Sequence, residues 1–258
     1  MRRALFLLLL LLLPREAAAG AWTREAGGVQ QITTLLGSMA DHSFGSAAPI
    51  RFRKGVIQTH TEYGLTDWLT LIGATESAYV EVTQAGLAPY TAFDHGVEGG
   101  ARLRLRRGTW GVLSMEASYR AAGAFNFAVS ANPAARGNAA RLRLLYGRSY
   151  RLGGHDAFFD IAGGRHFLSG ARADETALDL TAGLWLDNAN MAMLQSFNLF
   201  AGQGGLAAYA PFQSHKLQFT WVTRMSRHFW LQTGGFLSPA GHNALQEQGL
   251  LLSLWTRF

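Results

Sequence analysis

Apolar and polar residues alternate with a period of two through most of this chain, in segments of 9 to 13 residues. In residues 95–107, Val97, Ala101 and Leu103 share one face of an extended chain, while Glu98 and Arg102 share the other. A period of two is typical of β-strands, and the Gly, Pro, Asp and Asn clusters between the segments are typical of turns. The pattern therefore predicts an all-β chain built from long strands.

Twelve strands are predicted, and the connections between them alternate in length. The strands are expected at residues 28–39, 51–63, 68–82, 95–107, 110–120, 138–149, 156–167, 175–187, 191–201, 214–225, 229–237 and 247–258. Short turns such as 64–67 alternate with long connections such as 121–137, although the turn at 150–155 is longer than its counterparts. An even strand number with short turns at one end and long loops at the other is typical of bacterial outer-membrane barrels.

These observations predict a transmembrane up-and-down antiparallel β-barrel of about 12 strands. A closed barrel has no unpaired strand edge, lipid covers its apolar outer face, and strands of about 10 residues cross a membrane when tilted. The alternative is a secreted β-sandwich, whose strands are typically about 5 or 6 residues long, roughly half the length expected here. The expected location is the outer membrane of a Gram-negative bacterium, with its lipid as the first partner.

The first residues have the organisation of a secretory signal peptide. Arg2 and Arg3 precede the apolar run 4–13, and small residues follow at 17–21. This run is too short for a transmembrane helix, which needs about 20 apolar residues. Cleavage after Ala19 or Ala21 suits the small residues. We therefore divide the chain into a cleaved signal peptide, 1–21, and an outer-membrane barrel, 22–258.

The composition narrows the possible functions. The 258 residues include no cysteine, which excludes disulfides, thiolate metal sites, cysteine nucleophiles and a lipid-modified terminus. The formal charge of +6 falls to +4 without the signal peptide, so no nucleic-acid partner is expected. The eight histidines show no metal-ligand spacing, and neither a metal nor a cofactor is expected.

The predicted lumen contains a basic cluster with acidic neighbours. The basic residues are Arg102, Arg104, Arg106, Arg141 and Arg143, and the acidic residues are Glu98, Glu116, Asp160 and Asp179. Rings of arginine select anions in pores, and a guanidinium binds a carboxylate through two hydrogen bonds. Alternatively, these arginines pair with the four carboxylates and plug a narrow barrel. The sequence leaves both interpretations open.

Catalysis is not expected. The pairs Asp41-His42 and Asp94-His95 both fall in predicted outer loops, where two such pairs at one rim would suit acid–base chemistry. Aspartate and histidine are common in loops, however, and no catalytic nucleophile has a fixed position beside them.

The last strand ends on an aromatic residue. Leu250, Leu252 and Leu254 share one face of this strand, which ends at Phe258. An aromatic carboxy-terminus on an alternating strand resembles the assembly signal that bacterial outer-membrane insertion machinery reads. We therefore expect that machinery as a second partner.

Five fragments of the chain together resemble XagA-type proteins. They are residues 21–25, 62–67, 144–148, 194–198 and 254–258. The resemblance implies an outer-membrane β-barrel associated with exopolysaccharide and biofilm loci, with exopolysaccharide or its export proteins as partners and no catalytic residue. The first functional hypothesis is a pore or conduit for anionic solutes or exopolysaccharide. The second is a closed scaffold whose outer loops bind polysaccharide or export-apparatus partners.

Overall fold

Twelve strands form one closed antiparallel barrel, in which each strand pairs with its sequence neighbours and the first strand pairs with the last. The computed structural model describes residues 20–45, 49–84, 88–122, 138–170, 173–204 and 210–258. The strands are β1 (Val29–Ala40), β2 (Ile50–Thr66), β3 (Leu69–Gln84), β4 (Tyr90–Gly108), β5 (Gly111–Ala122), β6 (Ala139–Leu152), β7 (His155–Leu168), β8 (Glu175–Trp185), β9 (Asn190–Ala201), β10 (Phe212–Arg224), β11 (Phe229–His242) and β12 (Gln248–Arg257). The predicted all-β barrel of 12 strands is confirmed. In the part of the chain that is described, no helix is long and apolar enough to cross a membrane.

Several strands extend further than the sequence pattern indicates. β4 begins at Tyr90 rather than residue 95, and β11 continues to His242 rather than residue 237. In both cases the neighbouring strand continues the ladder, since Val82 pairs with Tyr90 and Gln213 pairs with His242. Backbone pairing therefore extends beyond the region in which alternating hydrophobicity marks the strand.

The barrel has a short-turn end, where both chain termini enter the wall, and a long-loop end opposite. At the short-turn end β6 and β7 are joined by Gly153 and Gly154 alone, with φ values of +57° and +87°. Positive φ at both central residues matches the two-residue turn that suits the twist of paired strands. This turn is shorter than the one expected at 150–155, because both strands extend into that segment.

The seam between β1 and β12 closes the barrel. The backbone of Val29 exchanges two hydrogen bonds with Phe258, at 2.9 and 3.0 Å. Further along the seam, the hydroxyls of Thr34 and Ser253 lie 2.8 Å apart and share a buried hydrogen bond. Backbone pairing along this seam leaves neither strand as a free edge.

The outward face of the barrel is apolar. In β8, Leu178 and Leu180 are exposed, as predicted from the alternation. Near the short-turn end, Tyr63 and Trp68 are also exposed, as in the aromatic girdle of a transmembrane barrel. Phe229 is exposed in the same way, whereas the next residue, Trp230, is buried on the inner side of the wall.

Candidate functional site

The inward residues form two zones. Toward the short-turn end lies an apolar floor, made of Ala21, Trp22, Val112, Leu145, Phe158, Ala162, Met191, Met193, Val222, Trp230 and Trp255. Above it is a chamber of about 680 Å³, whose lining includes charged side chains from β2 to β8 and from β10. This charged chamber is the candidate functional site.

Arg102 is at the centre of the ion-pair network, and its side chain is only 5% exposed. Its Nη1 lies 2.9 Å from Glu62 Oε1, and its Nε and Nη2 donate to Glu116 Oε2 at 2.9 and 2.8 Å. Nη1 also donates to the carbonyl oxygen of Trp22 at 3.1 Å. A buried charge is costly unless it is paired. The two carboxylates and the carbonyl oxygen pair with the Arg102 guanidinium and so offset the cost of burying it.

The other lumen arginines also pair with carboxylates. Arg141 Nη1 lies 2.5 Å from Glu98, and Arg143 Nη2 lies 2.5 Å from Asp179. A second nitrogen of Arg143 is 3.6 Å from Glu116, which links this pair to Arg102. Arg141 and Arg143 differ from Arg102 because about a quarter of each side chain is exposed toward the chamber, at 26% and 23%.

Not all of the expected basic cluster comes together. Arg104 is half-buried on the same strand as Arg102. Arg106 lies beyond a register shift between residues 104 and 106 and is exposed at the short-turn end. Its guanidinium carbon lies 5.7 Å from the centre of the Trp110 ring. The bulge changes the alternation, and Arg106 does not belong to the chamber.

Sequence reasoning missed several members of the network. Glu62 binds both Arg102 and Arg24, the latter with Nε at 2.6 Å. Arg120 pairs with Glu76 at 2.9 Å. The alternating pattern of β2 and β3 places Glu62 and Glu76 on the inward face, so both carboxylates could have been predicted to face the lumen.

A second cluster of charges lies toward the long-loop end. Glu247 pairs with Lys216, lies 4.0 Å from Lys54, and accepts a hydrogen bond from Ser38 Oγ at 2.5 Å. Burial opposes ionisation of Glu247, but the positive charges of Lys216 and Lys54 outweigh it and lower its pKa below the usual value. Both clusters bring opposite charges together, so the chamber is not lined by free cations alone.

Residues 20–26, here named the plug segment, close the chamber at the short-turn end. Ala21 N donates to Asp160 Oδ2 at 2.7 Å, and its carbonyl accepts from Ser114 Oγ at 2.5 Å. Arg24 N donates to Thr70 Oγ1 at 2.8 Å, and Ala26 N to Asp67 Oδ1 at 2.9 Å. These contacts reach β3, β5, β7 and the β2–β3 turn. Asp160, expected to neutralise an arginine, instead holds the plug segment.

The ring of Trp22 fills the barrel below the chamber. Trp22 is 7% exposed and meets Phe158 edge to face, with the ring centroids 6.1 Å apart. Trp230 and Trp255 complete the floor, and Arg257 lies over both of their rings at 4.6 and 5.6 Å. The lumen is therefore filled at one end and hollow at the other.

The Asp94-His95 pair does not lie where the sequence pattern predicts it. Asp94 and His95 lie within β4 rather than in a loop, and consecutive strand residues point to opposite faces. His95 Nδ1 is hydrogen-bonded to Ser77 Oγ at 2.8 Å. Among the described residues, no group of three histidine, aspartate or glutamate side chains is arranged to hold a metal ion.

No protein-family model and no curated protein matches the chain. Solved structures resemble it over nearly its full length. An outer membrane channel from Pseudomonas putida F1 has a TM-score of 0.67 at 17% identity, covering 94% of this chain and 100% of that one. The transport unit of the autotransporter AIDA-I from Escherichia coli has a TM-score of 0.57 at 8% identity, covering 96% and 94% of the two chains.

The translocator domain of the autotransporter NalP from Neisseria meningitidis is also similar, with a TM-score of 0.56 at 10% identity and coverage of 91% and 90%. At these identities, the likeness supports the fold alone.

Proposed function

We propose that this protein is a channel in the outer membrane of a Gram-negative bacterium, and that the plug segment holds it closed at the short-turn end. The short-turn end then faces the periplasm, as in other bacterial barrels with long outer loops. The apolar outer face, the sealed strand edges and the secretory leader expected from the sequence all support this location.

The observation that carries the proposal is a charged, hollow chamber directly above a plug that is not part of the wall. Barrels of about 8 strands are filled by their own side chains, whereas 12 strands enclose a wider lumen. Here a short segment completes the closure, and it contacts the wall through a limited set of hydrogen bonds, an ion pair and one tryptophan ring. A segment held in this way can leave the lumen while the barrel remains intact.

We further propose that the solutes are small and polar, with organic anions among them. Arg141 and Arg143 present partly exposed guanidinium groups to the chamber, where a solute carboxylate can compete with Glu98 and Asp179. Because these arginines are already paired, the expected anion selectivity is moderate rather than strong. The resemblance to XagA-type proteins supports exopolysaccharide as a partner, and the long-loop end is where we place that contact.

Planar bilayers provide the test. We compare the mature protein with a variant that lacks residues 20–26, each inserted from protein shown to be heat-modifiable. The intact protein should show small or infrequent current steps, and the deletion should raise the single-channel conductance several-fold. Arg106, Arg107 and Arg148 are exposed and do not line the chamber. Changing all three to Ser is the control and should leave the conductance unchanged.

The alternative function is a closed scaffold whose long loops bind polysaccharide or export partners. The packing of Trp22 into the apolar floor favours it, because that packing resembles a stable core. An inserted deletion variant that remains non-conducting would reject the channel and leave the scaffold. Binding of polysaccharide that is lost on shortening the long loops would then support the scaffold directly.

A further inference from the structure

The backbone at Gly20 and Ala21 is packed directly against one buried carboxylate. Ala21 has no exposed surface, and Asp160, which accepts the hydrogen bond from its N–H, is only 5% exposed. A Cβ atom at residue 20 would lie 2.1 Å from the Asp160 carboxyl group. Only glycine fits at this position, and its amino nitrogen is one bond away from the Cα that touches the carboxylate.

The Asp160 carboxylate lies near Arg102 and Arg143, but both guanidinium groups bind other carboxylates. Arg102 is engaged by Glu62 and Glu116, and Arg143 is engaged by Asp179 and Glu116. Among the described ion pairs of the lumen, none includes Asp160. Burying a carboxylate costs free energy unless donors or cations compensate its charge. A cation within hydrogen-bonding reach of Asp160 would add to the bond from Ala21 N that the described residues show.

The chain itself contains the means to supply this cation. The small residues Ala17 and Ala19 have the spacing that signal peptidase accepts. Hydrolysis of the bond between Ala19 and Gly20 consumes one water and leaves a carboxylate on Ala19 and an ammonium group on Gly20. That ammonium forms at the residue that contacts Asp160.

We infer that the mature chain begins at Gly20 and that its α-ammonium group pairs with Asp160 inside the lumen. This pairing deepens the proposed closure and rests on it, because it fastens the free end of the plug segment to β7. It also selects between the two cleavage positions that the sequence allows. Cleavage after Ala21 would remove both residues that contact Asp160, including the backbone groups that bind Asp160 and Ser114.

Only the cleaved chain has a charged group at residue 20 that can pair with Asp160. Before cleavage, the nitrogen of residue 20 belongs to an uncharged amide. After cleavage it carries a positive charge and three donors, which suit a carboxylate. The plug is therefore fastened fully only in exported, processed protein.

Intact mass and amino-terminal sequencing of protein purified from outer membranes provide the first test. We expect a single mature species that begins with Gly20. A species that begins at Trp22, or at any other residue, would overturn the inference, whatever the conductance of the protein.

The second test measures how fast a small amine-reactive ester labels the α-amino group, read from the amino-terminal peptide by mass spectrometry. In the folded barrel the labelling rate should be at least tenfold lower than in urea-unfolded protein. Asp160→Asn should raise the folded-state rate several-fold. Asp156→Asn, a matched change on the same strand near the short-turn end, should leave it unchanged.

Heat-modifiability of each variant shows whether the barrel is intact, so that accelerated labelling is not mistaken for unfolding. Equal labelling rates in folded and unfolded wild type, or in intact wild type and Asp160→Asn, would overturn the pairing. Protection of the amine in a protein that never conducts would reject the channel and keep the pairing. If deletion of the plug segment produces conductance but the amine is not protected, the channel stands and the pairing is rejected.

Discussion

Replacing Arg102 with methionine should destabilise the barrel strongly, because it removes the cation between two buried carboxylates. Loss of one partner from a buried ion pair typically costs about 3–5 kcal/mol. Here Glu62 keeps Arg24 at 2.6 Å, and Glu116 keeps Arg143 at 3.6 Å. These remaining partners place the expected cost at the lower limit, about 3 kcal/mol, or roughly a hundredfold in the folding equilibrium.

A double-mutant cycle separates the ion pair from the loss of side-chain packing. Arg102→Met leaves two carboxylates, Glu62 and Glu116, without this guanidinium, and Glu116→Gln removes the charge of one of them. In the Glu116→Gln background, Arg102→Met should therefore lower the free energy of unfolding by at least about 1 kcal/mol less than in the wild type. Arg106→Met is the matched control on the same strand. Its guanidinium is exposed beside Trp110, and its loss should change stability by less than about 0.5 kcal/mol.

Urea unfolding of vesicle-inserted protein, followed by tryptophan fluorescence and by heat-modifiability, provides the measurement. Arg102→Met should also loosen the plug, because the carbonyl of Trp22 loses its donor. Equal stability of Arg102→Met and Arg106→Met would refute the reasoning. So would a cycle without coupling between Arg102 and Glu116.

Three further predictions concern the plug, the seam and the long-loop end. Gly147→Ala places a Cβ 2.5 Å from the Trp22 ring and should expel the plug or cost about 1–3 kcal/mol, whereas Gly163→Ala on the adjacent strand meets open space and should change neither conductance nor stability. Deletion of Phe258, which pairs with Val29 and stacks on His228 at 5.6 Å, should lower the yield of assembled barrel several-fold in outer-membrane fractions without changing the amount synthesised. Because its pKa is lowered in the folded state, ionised Glu247 should stabilise the barrel above about pH 4, and this stabilisation should disappear as the pH falls further. Unfolding temperatures measured between pH 3 and pH 7 should therefore fall less steeply in Glu247→Gln than in the wild type, and equal slopes would reject the role of this residue.

The strands were predictable because the alternation along each one records which residues face lipid. β8 shows this directly, since Leu178 and Leu180 face outward while Asp179 between them reaches Arg143. The same rule failed at Arg106, where the register shift in β4 interrupts the alternation. A bulge leaves little trace in hydrophobicity, and so the sequence placed one arginine too many in the lumen.

The ion pairs of the site were harder to predict than the faces of the strands. Arg102 on β4 meets Glu62 on β2, with β3 between them, so the contact depends on the stagger of three strands and on barrel curvature. Alternation contains no information about stagger. The plug segment was missed for another reason: its residues have no periodicity, and only the barrel around them shows what Trp22 packs against.

The seam between β1 and β12 also determines when the barrel becomes a barrier. β12 contributes Trp255 to the floor beneath the chamber, and the plug segment leads directly into β1. An assembly intermediate whose last strand has not yet paired lacks both the final wall and part of the surface that holds Trp22. Closure of the ring therefore supplies part of the surface against which Trp22 packs, and the plug segment has its full set of contacts only in a closed barrel.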